Sequence, residues 1–116
     1  DRLRAMLVQG LVAGKEVRAE VASVELEGHR ATALALVFSE LLSNALEHGG
    51  DRVSITLRKD GDDGVLVLAD DGRGMQDASH GTGLQIVRAL VRDELGGTLS
   101  LGQDGGLRAE VRFPAA

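Results

Sequence analysis

The chain lacks several residue types on which small domains often depend. Its 116 residues include no Cys, Trp or Tyr, only two Phe and a single Pro. Without cysteine, neither disulfide bonds nor thiol chemistry are available. Because Phe38 and Phe113 are the only aromatic residues, the hydrophobic core must be built from Leu, Val, Ile and Ala. Hydrophobic residues still make up 43% of the chain, which is enough for one globular domain with a modest core.

Further absences limit the partners of the chain. The formal net charge is −5 and no basic patch dominates, which argues against direct nucleic-acid binding. No apolar run approaches the ~18 residues of a membrane span, and no signal peptide is visible. We therefore expect no membrane insertion and a cytoplasmic location. Because the chain begins at Asp1 without a Met, we expect a fragment of a longer protein, with residues 1–116 as a single domain and 1–14 as a helical lead-in.

The periodicity of apolar residues predicts one layered α/β unit. Helices are predicted over 2–12, 32–48 and 83–95, and strands over 16–26, 53–57, 65–69, 98–101 and 107–113. The run 65–69 is almost continuously apolar, as in a buried central strand. Glycines are abundant and predict a turn over 59–64 and a helix end at Gly96 and Gly97. This order predicts a two-layer α/β sandwich, with a mixed, mostly antiparallel sheet and helices on one face.

The helix predicted over 32–48 has two stripes of different chemistry. The stripe expected to face the core is purely apolar and consists of Leu34, Phe38, Leu41 and Ala45. The second stripe begins with the apolar residues Ala33, Leu36 and Val37 and ends with the polar residues Glu40, Asn44 and Glu47. Residues three and four apart are neighbours on a helix, and buried polar groups need partners. A carboxylate and an amide one turn apart offer oxygen ligands to a hard divalent cation, so Glu40 and Asn44 predict a Mg²⁺ site.

Asp70 directly follows the predicted buried strand, where a carboxylate is expected only if the chain emerges there. Such a carboxylate can accept a hydrogen bond from an exocyclic amine, and Gly72 and Gly74 let the backbone turn sharply and approach a flat ligand. An ordinary Asp-Gly turn also explains these residues, since a single glycine motif is weak evidence. We expect Asp71 to be a solvated turn residue.

The segment Gly81, Thr82, Gly83 and Leu84 lies where the last predicted helix begins. Free backbone N–H groups and the positive end of the helix dipole would suit a phosphate there. A flexible loop leading into a helix is the alternative interpretation.

The histidines and one group of aspartates have simpler explanations. His48 closes the long helix, where favourable interaction with the helix C-terminus competes with a phosphate contact. His80 is expected to be an exposed loop residue, and His29 to precede the helix. The aspartates at 60, 62 and 63 lack the spacing of an EF-hand loop, so turn chemistry is favoured over calcium binding.

Three segments in this order resemble the N, G1 and G2 boxes of the ATPase and kinase superfamily that includes gyrase, Hsp90, histidine kinases and MutL. They are Glu40 to Gly49, Leu68 to Met75, and Gly81 to Val91. Together with the segment Glu94 to Gly97, they resemble the ATP-binding catalytic domain of sensor histidine kinases, in the subgroup with the second type of dimerisation and phosphoacceptor domain. The resemblance covers roughly residues 15 to 114 and implies a Bergerat-type fold that binds ATP with Mg²⁺.

The resemblance also implies a role for each motif residue. Asn44 ligates Mg²⁺, Glu40 assists at the metal and the γ-phosphate, and Asp70 holds the adenine amine. The other residues placed at the nucleotide are His48, Gly72, Gly74, Gly81, Thr82, Gly83 and Leu84.

Three features depart from the pattern of the family. Only residues 75–80 separate the G1-like and G2-like segments, so the ATP lid is very short. Glu47 stands where many relatives have Lys or Arg, which removes one expected phosphate contact. Leu107 stands where a Thr often supports the adenine.

The resemblance implies transfer of the γ-phosphoryl group of ATP to a histidine on a separate phosphoacceptor domain, of the same or a partner chain, and then to a response regulator. No histidine lies on an upstream helical hairpin in this sequence, so the chain is expected to lack its own acceptor. Two alternatives remain open. One is an anti-sigma-type protein serine kinase of the same fold, which the sequence upstream of Asp1 would distinguish. The other is a non-catalytic interaction domain that has lost nucleotide, against which the intact Glu40, Asn44 and Asp70 argue.

Overall fold

The computed structural model of the chain describes residues 6–12, 15–22, 24, 26–48, 52–71, 82–103 and 107–115. In chain order, the elements are β1 Met6–Val12, β2 Lys15–Val21, α1 Gly28–His48, β3 Arg52–Asp60, β4 Asp63–Asp70, α2 Thr82–Ala89, β5 Thr98–Gln103 and β6 Leu107–Pro114. A π-helical turn, Leu90–Glu94, continues directly from α2.

The described strands form one sheet in the order β1-β2-β3-β4-β6-β5. β2 and β3 are parallel, and every other neighbouring pair is antiparallel. The parallel pair is joined through α1, because parallel strands cannot be connected by a tight hairpin. The predicted mixed, mostly antiparallel sheet is therefore confirmed.

Both helices pack against the same face of this sheet. One buried cluster contains residues of α1, α2 and the π-turn together with the alternate residues of β3, β4 and β6 that face them. Its most deeply buried members include Val37, Leu41, Ala45, Val53, Ile55, Leu68, Leu84, Val87, Val91, Leu95, Ala109, Val111 and Phe113. Aliphatic residues thus supply nearly all of the core, and the predicted two-layer sandwich with helices on one face is confirmed.

The core-facing stripe of α1 differs from the prediction. Its most buried line is Ala33, Val37, Leu41 and Ala45, whereas Leu34 and Phe38 are only half-buried. The apolar part of this helix is wide enough for two adjacent lines to contact the sheet, and burial is deepest on the line with the smaller side chains. Helix α1 also begins at Gly28, so the prediction that His29 precedes the helix is wrong.

The helix predicted over 2–12 is wrong for its described part, because residues 6–12 form β1. β1 pairs with β2 along its whole length, from Met6↔Val21 to Val12↔Lys15. Two residues separate the strands, which is a hairpin spacing. Short apolar runs do not distinguish helix from strand by periodicity alone. Gly10 disfavours a helix, and the β-branched Val8 fits a strand.

The remaining elements follow the predictions with shifted ends. β2 ends at Val21, so Val24 and Leu26 lie beyond the predicted strand but still pack against the core. The predicted last helix changes into the π-turn, in which the Leu95 N–H donates to the Leu90 carbonyl at 3.0 Å. Gly96 adopts φ 64°, a left-handed conformation suited to glycine, and ends the helix as predicted.

Arg30 ties together three parts of the chain that are distant in sequence. From the first turn of α1, its guanidinium donates to the Leu95 carbonyl at 2.9 Å and to the Pro114 carbonyl. One residue later, the Ala115 N–H donates to the Asp62 carbonyl at 2.7 Å. The start of α1, the end of the π-turn and the end of β6 are therefore held to one another.

The sheet face opposite the helices, called here the open face, carries mostly charged residues. Val65 and Val67 of β4 lie on this face and are nevertheless buried. Val65 stands between Arg58 and Arg112 in the register of the three strands. Long charged side chains can cover apolar neighbours with their stems while their heads remain in water.

Arg112 forms the main ion-pair group of this face. Its guanidinium donates to Asp63 at 2.9 Å and to Asp60 at 2.8 Å, across the β3–β4 turn. These hydrogen bonds lower the pKa of the Asp60 carboxyl below its ordinary value. The aspartates at 60 and 63 therefore join β6 to the turn, in agreement with the structural interpretation of this acidic cluster.

Candidate functional site

Helix α1 carries two polar side chains on the flank of its buried line. Glu40 and Asn44 lie one turn apart, and both are half-buried. The Nδ2 atom of Asn44 is fully buried and has no hydrogen-bond partner among the described residues. No hydrogen bond or ion pair of the Glu40 carboxylate is found in the same part of the chain. Since buried polar groups are almost always paired, the unpaired Nδ2 of Asn44 indicates a place for a further partner, and Glu40 lies one turn away from it.

Asp70 lies at the same end of the sandwich as the polar end of α1. It is the last residue of β4 and stands opposite Val53 in the antiparallel register. Directly opposite residues share one face of a sheet, and Val53 is buried beneath the helices, so Asp70 also lies on the helix-covered face. Only residues 49–51 connect α1 to β3, a span of about 14 Å at most from His48 to Arg52. The predicted metal ligands and the predicted amine acceptor are therefore brought to one end of the domain.

The residue after Asp70 forms a contact that the sequence analysis missed. The Asp71 N–H donates to the Arg52 carbonyl at 3.3 Å, and the Arg52 N–H donates to Oδ1 of Asp71 at 3.0 Å. Asp71 is exposed, as expected, but it holds the chain to the start of β3. The doubled aspartate at the end of an apolar strand was the available sign, and its partner could not be identified without the strand register.

A groove of about 330 Å³ also touches Asp70, but it opens on the wrong side of the sheet for the predicted ligand. Its lining includes Arg18, Ser54 and Ala69, which alternate with core-facing residues and so lie on the open face. Most of this lining lies on the open face, although Val53 and Asp70 also touch the groove, whereas the predicted nucleotide site belongs to the helix-covered face.

The predicted phosphate contact falls partly at the start of α2. α2 begins at Thr82, so Thr82 and Gly83 occupy its first turn, where backbone N–H groups lack helical partners. The side chain of Leu84 is buried in the core, 1% exposed, so only its backbone is available to a ligand. The predicted contacts at Gly72, Gly74 and Gly81 lie outside the described residues, as do residues 75–80 of the predicted lid and His80.

Two other predicted positions are described only by their backbone. His48 is the last residue of α1, and Glu47 precedes it. A phosphate contact by His48 stays a prediction. Leu107, noted as a departure from the family pattern, is the first residue of β6.

The described residues fit a metal that is shared with a ligand better than a metal held by protein alone. No group of three or more His, Cys, Asp or Glu side chains that could hold a metal occurs in the described ranges. Glu40 and Asn44 supply at most a carboxylate and an amide oxygen. Mg²⁺ commonly takes one or two protein ligands and completes its shell with phosphate oxygens and water.

Among the described helices, none is long and apolar enough to cross a membrane.

Comparison with known proteins identifies relatives of this arrangement. A family profile described as histidine kinase-, DNA gyrase B- and HSP90-like ATPase matches residues 29–116. The sensor histidine kinase PdtaS of Mycolicibacterium smegmatis is 38% identical over 102 residues, covering 77% of this chain and 20% of the relative. PdtaS of Mycobacterium tuberculosis H37Rv matches with the same identity and coverage. The chain thus spans about a fifth of the length of these relatives.

Solved structures share the fold. The blue-light activated histidine kinase of Erythrobacter litoralis EL346 superposes with a TM-score of 0.77 and 29% identity, over 91% of this chain and 36% of that one. The histidine kinase domain of the same protein gives a TM-score of 0.75 and 28% identity, over 84% of this chain and 50% of that one. With the match of the family profile to most of its length, the chain belongs to the histidine kinase-, DNA gyrase B- and HSP90-like ATPases, as an ATP-binding domain of the histidine kinase type.

Proposed function

We propose that this domain binds ATP with Mg²⁺ and transfers the γ-phosphoryl group to a histidine on a separate dimerisation and phosphoacceptor domain, in two-component signalling. The observation that carries the proposal is the buried amide of Asn44, whose Nδ2 lacks a partner among the described residues. An unpaired buried amide costs about 1–3 kcal/mol, so a ligand that satisfies it gains binding energy at this point.

Asn44 and Glu40 hold the metal end of the substrate. The amide oxygen of Asn44 and the carboxylate of Glu40 are hard oxygen donors, one helical turn apart on a rigid helix. The amide nitrogen of Asn44 donates to a phosphate oxygen. When bound, Mg²⁺ neutralises charge on the phosphates and orients them.

Asp70 holds the base end of the substrate. Its carboxylate stands on the helix-covered face at the end of β4, where it accepts a hydrogen bond from the exocyclic amine of adenine. The backbone N–H groups at the start of α2 face the phosphates, where the helix dipole adds partial positive charge. The domain thus acts mainly by positioning the substrate, which is the main protein contribution in phosphoryl transfer.

The transfer step needs a second domain. An imidazole nitrogen of the acceptor histidine forms a bond to the γ-phosphorus, while the bond from that phosphorus to the β–γ bridging oxygen breaks and ADP leaves. The acceptor domain belongs to the same or a partner chain, and a response regulator receives the phosphoryl group next. We place this signalling in the cytoplasm.

The first test measures ATP binding by calorimetry, with Mg²⁺ and with a chelator. We expect Mg²⁺ to strengthen binding, and Asn44→Ala to remove that dependence while the domain stays folded. Ser39→Ala is the matched control, because Ser39 lies exposed on the opposite side of α1. Equal ATP affinity with Mg²⁺ and with chelator for the unsubstituted chain would rule out the metal site.

The second test follows labelled phosphate. We expect the isolated chain to incorporate no stable label from γ-labelled ATP, and to label a cognate histidine-bearing hairpin domain when that domain is supplied. The label on the hairpin should be acid-labile, as expected of a phosphohistidine. Acid-stable label on the serine of a partner protein would support the serine kinase alternative instead. ATP binding without any transfer to either partner would support a non-catalytic domain.

A further inference from the structure

Asp71 ends the β3–β4 ladder in an unusual way. The last paired residues of the two strands are Val53 and Asp70. One position further, the Asp71 N–H still donates to the Arg52 carbonyl, at 3.3 Å. The return hydrogen bond, however, runs from the Arg52 N–H to the side chain of Asp71, with an N···Oδ1 distance of 3.0 Å. A continuing strand would use the Asp71 backbone carbonyl as this acceptor.

The replacement of the Asp71 carbonyl by its carboxylate as hydrogen-bond acceptor affects the neighbouring Asp70. The carboxylate of Asp71 takes the place of its own carbonyl as the acceptor of the Arg52 N–H. Asp70 remains fixed on both sides, by the ladder before it and by the Arg52 contacts after it. The backbone from which the Asp70 side chain projects is therefore held in part by the residue that follows it.

We propose that Asp71 is a positioning residue, which aims the Asp70 carboxylate at the adenine amine and so supports selection of ATP over GTP. This inference rests on the proposed function of Asp70. Guanine carries an oxygen acceptor where adenine carries its exocyclic amine, so a correctly aimed carboxylate favours adenine and disfavours guanine.

The Asp71 carboxylate accepts the hydrogen bond from the Arg52 N–H, so an indirect effect on the nucleotide is expected. Consecutive residues at the end of a strand point to opposite faces, and Asp70 lies on the helix-covered face. Asp71 lines the groove on the open face instead, beside Arg52 and Ser54. We therefore expect its effect on a ligand beneath the helices to pass through Asp70.

The experiment compares ATP and GTP affinities of matched variants by calorimetry, with Asp70→Asn as the reference. Asp71→Ala removes the acceptor, and we expect ATP affinity to fall by about three- to tenfold, the range for one lost hydrogen bond, while GTP affinity changes less than twofold. Asp71→Asn keeps an oxygen acceptor and should restore the preference for ATP. Asp62→Ala removes an exposed carboxylate at the opposite end of β4 and should bind both nucleotides as the unsubstituted chain does.

The donor side provides a second, independent variant. Arg52→Pro removes the backbone N–H that donates to the Asp71 carboxylate. Arg52 is the first residue of β3, a position where proline is tolerated. We expect the same loss of ATP preference, with no further loss when Asp71→Ala is added. Arg52→Ala keeps the N–H and should behave as the unsubstituted chain.

Each outcome separates the inference from the proposed function. If Asp70→Asn binds ATP normally, the proposed adenine site itself is wrong. If Asp70→Asn weakens ATP binding but Asp71→Ala and Arg52→Pro do not, Asp71 has no positioning role. Equal losses for ATP and GTP in both variants would overturn the positioning role and assign Asp71 to the stability of the strand end. Failure of Asp71→Asn to restore the preference for ATP would also overturn it, because the hydrogen-bond acceptor alone would then not suffice.

Discussion

At the scale of single residues, the polar end of α1 illustrates what sequence patterns can and cannot reveal. Glu40 and Asn44 could be proposed as ligands because helical spacing alone puts them on one stripe. Asp70 could be proposed as a ligand contact because a charge follows a strongly apolar strand, and these roles stay predictions. The contact between Asp71 and Arg52 could not be predicted, because it joins residues nineteen apart through a strand register that local patterns do not determine.

Gly97 lies where the backbone of the neighbouring strand leaves no room for a side chain. A β-carbon at this position would lie 2.1 Å from the Arg112 carbonyl oxygen, which belongs to the backbone of the neighbouring strand and cannot easily move. We expect Gly97→Ala to lower the free energy of unfolding by about 1–3 kcal/mol, the usual cost of overpacking. Chemical denaturation would measure the change.

The matched control for this prediction is Gly102→Ala. Gly102 lies in β5, a few residues later, and a β-carbon there has no neighbour within 4 Å. We expect its midpoint of unfolding to stay close to that of the unsubstituted chain. Equal effects at both glycines would show that backbone entropy, and not the approach of Arg112, decides the outcome.

At the scale of elements, the success of the predictions depended on length and on neighbours. The long helix α1 and the buried strand β4 were predicted with small errors at their ends, because their periodicity extends over many residues. β1 was assigned as a helix because its short apolar run satisfies both periods. Its conformation is decided by pairing with β2, which is a tertiary effect.

The ion pairs between β6 and the β3–β4 turn predict a dependence of stability on pH. Hydrogen bonding from Arg112 holds the pKa of Asp60 below its ordinary value, so the folded form releases this proton more readily than the unfolded form. The contribution to stability is therefore complete above about pH 4 and is lost as the pH falls through the lowered pKa. Its size should be small, because both side chains are largely exposed and water screens their charges.

Thermal unfolding of Asp60→Asn tests this prediction. The variant should melt at a lower temperature than the unsubstituted chain at neutral pH, and the difference should shrink progressively as the pH falls below about 4. Asp62→Asn changes a carboxylate of the same turn, for which no ion pair is found in the described part of the chain. The difference in melting temperature between Asp62→Asn and the unsubstituted chain should not vary with pH. A parallel loss of stability in both variants would contradict the assignment of the pH dependence to the ion pair between Asp60 and Arg112.

At the scale of the whole molecule, ATP binding and global stability are linked. Only six residues, 75–80, are available for the predicted lid, and so short a segment can exclude little water from the nucleotide. We expect a dissociation constant on the order of 10 μM to 1 mM. At about 5 mM ATP with Mg²⁺, such binding raises the free energy of unfolding by about 1–4 kcal/mol.

Denaturation with and without ATP would measure this linkage, and in Asn44→Ala the stabilisation by ATP should be smaller and should no longer depend on Mg²⁺. A shift well above this range, or nucleotide that survives purification, would mean that contacts other than the lid hold ATP. The glycine motifs that surround the predicted nucleotide lie partly outside the described residues, so their contribution stays a prediction.

The position of β6 in the sheet determines when the domain can complete its fold during synthesis. β6 is the last strand along the chain, yet it lies between β4 and β5 and is the only described neighbour of β5. It also delivers the Pro114 carbonyl to Arg30, in a helix made more than 80 residues earlier. Until β6 emerges from the ribosome, the nascent chain therefore exposes an unpaired edge of β4, its most apolar strand. The sheet can therefore be completed only after its final strand has been translated, and until then β4 carries an unpaired edge of the kind that favours aggregation.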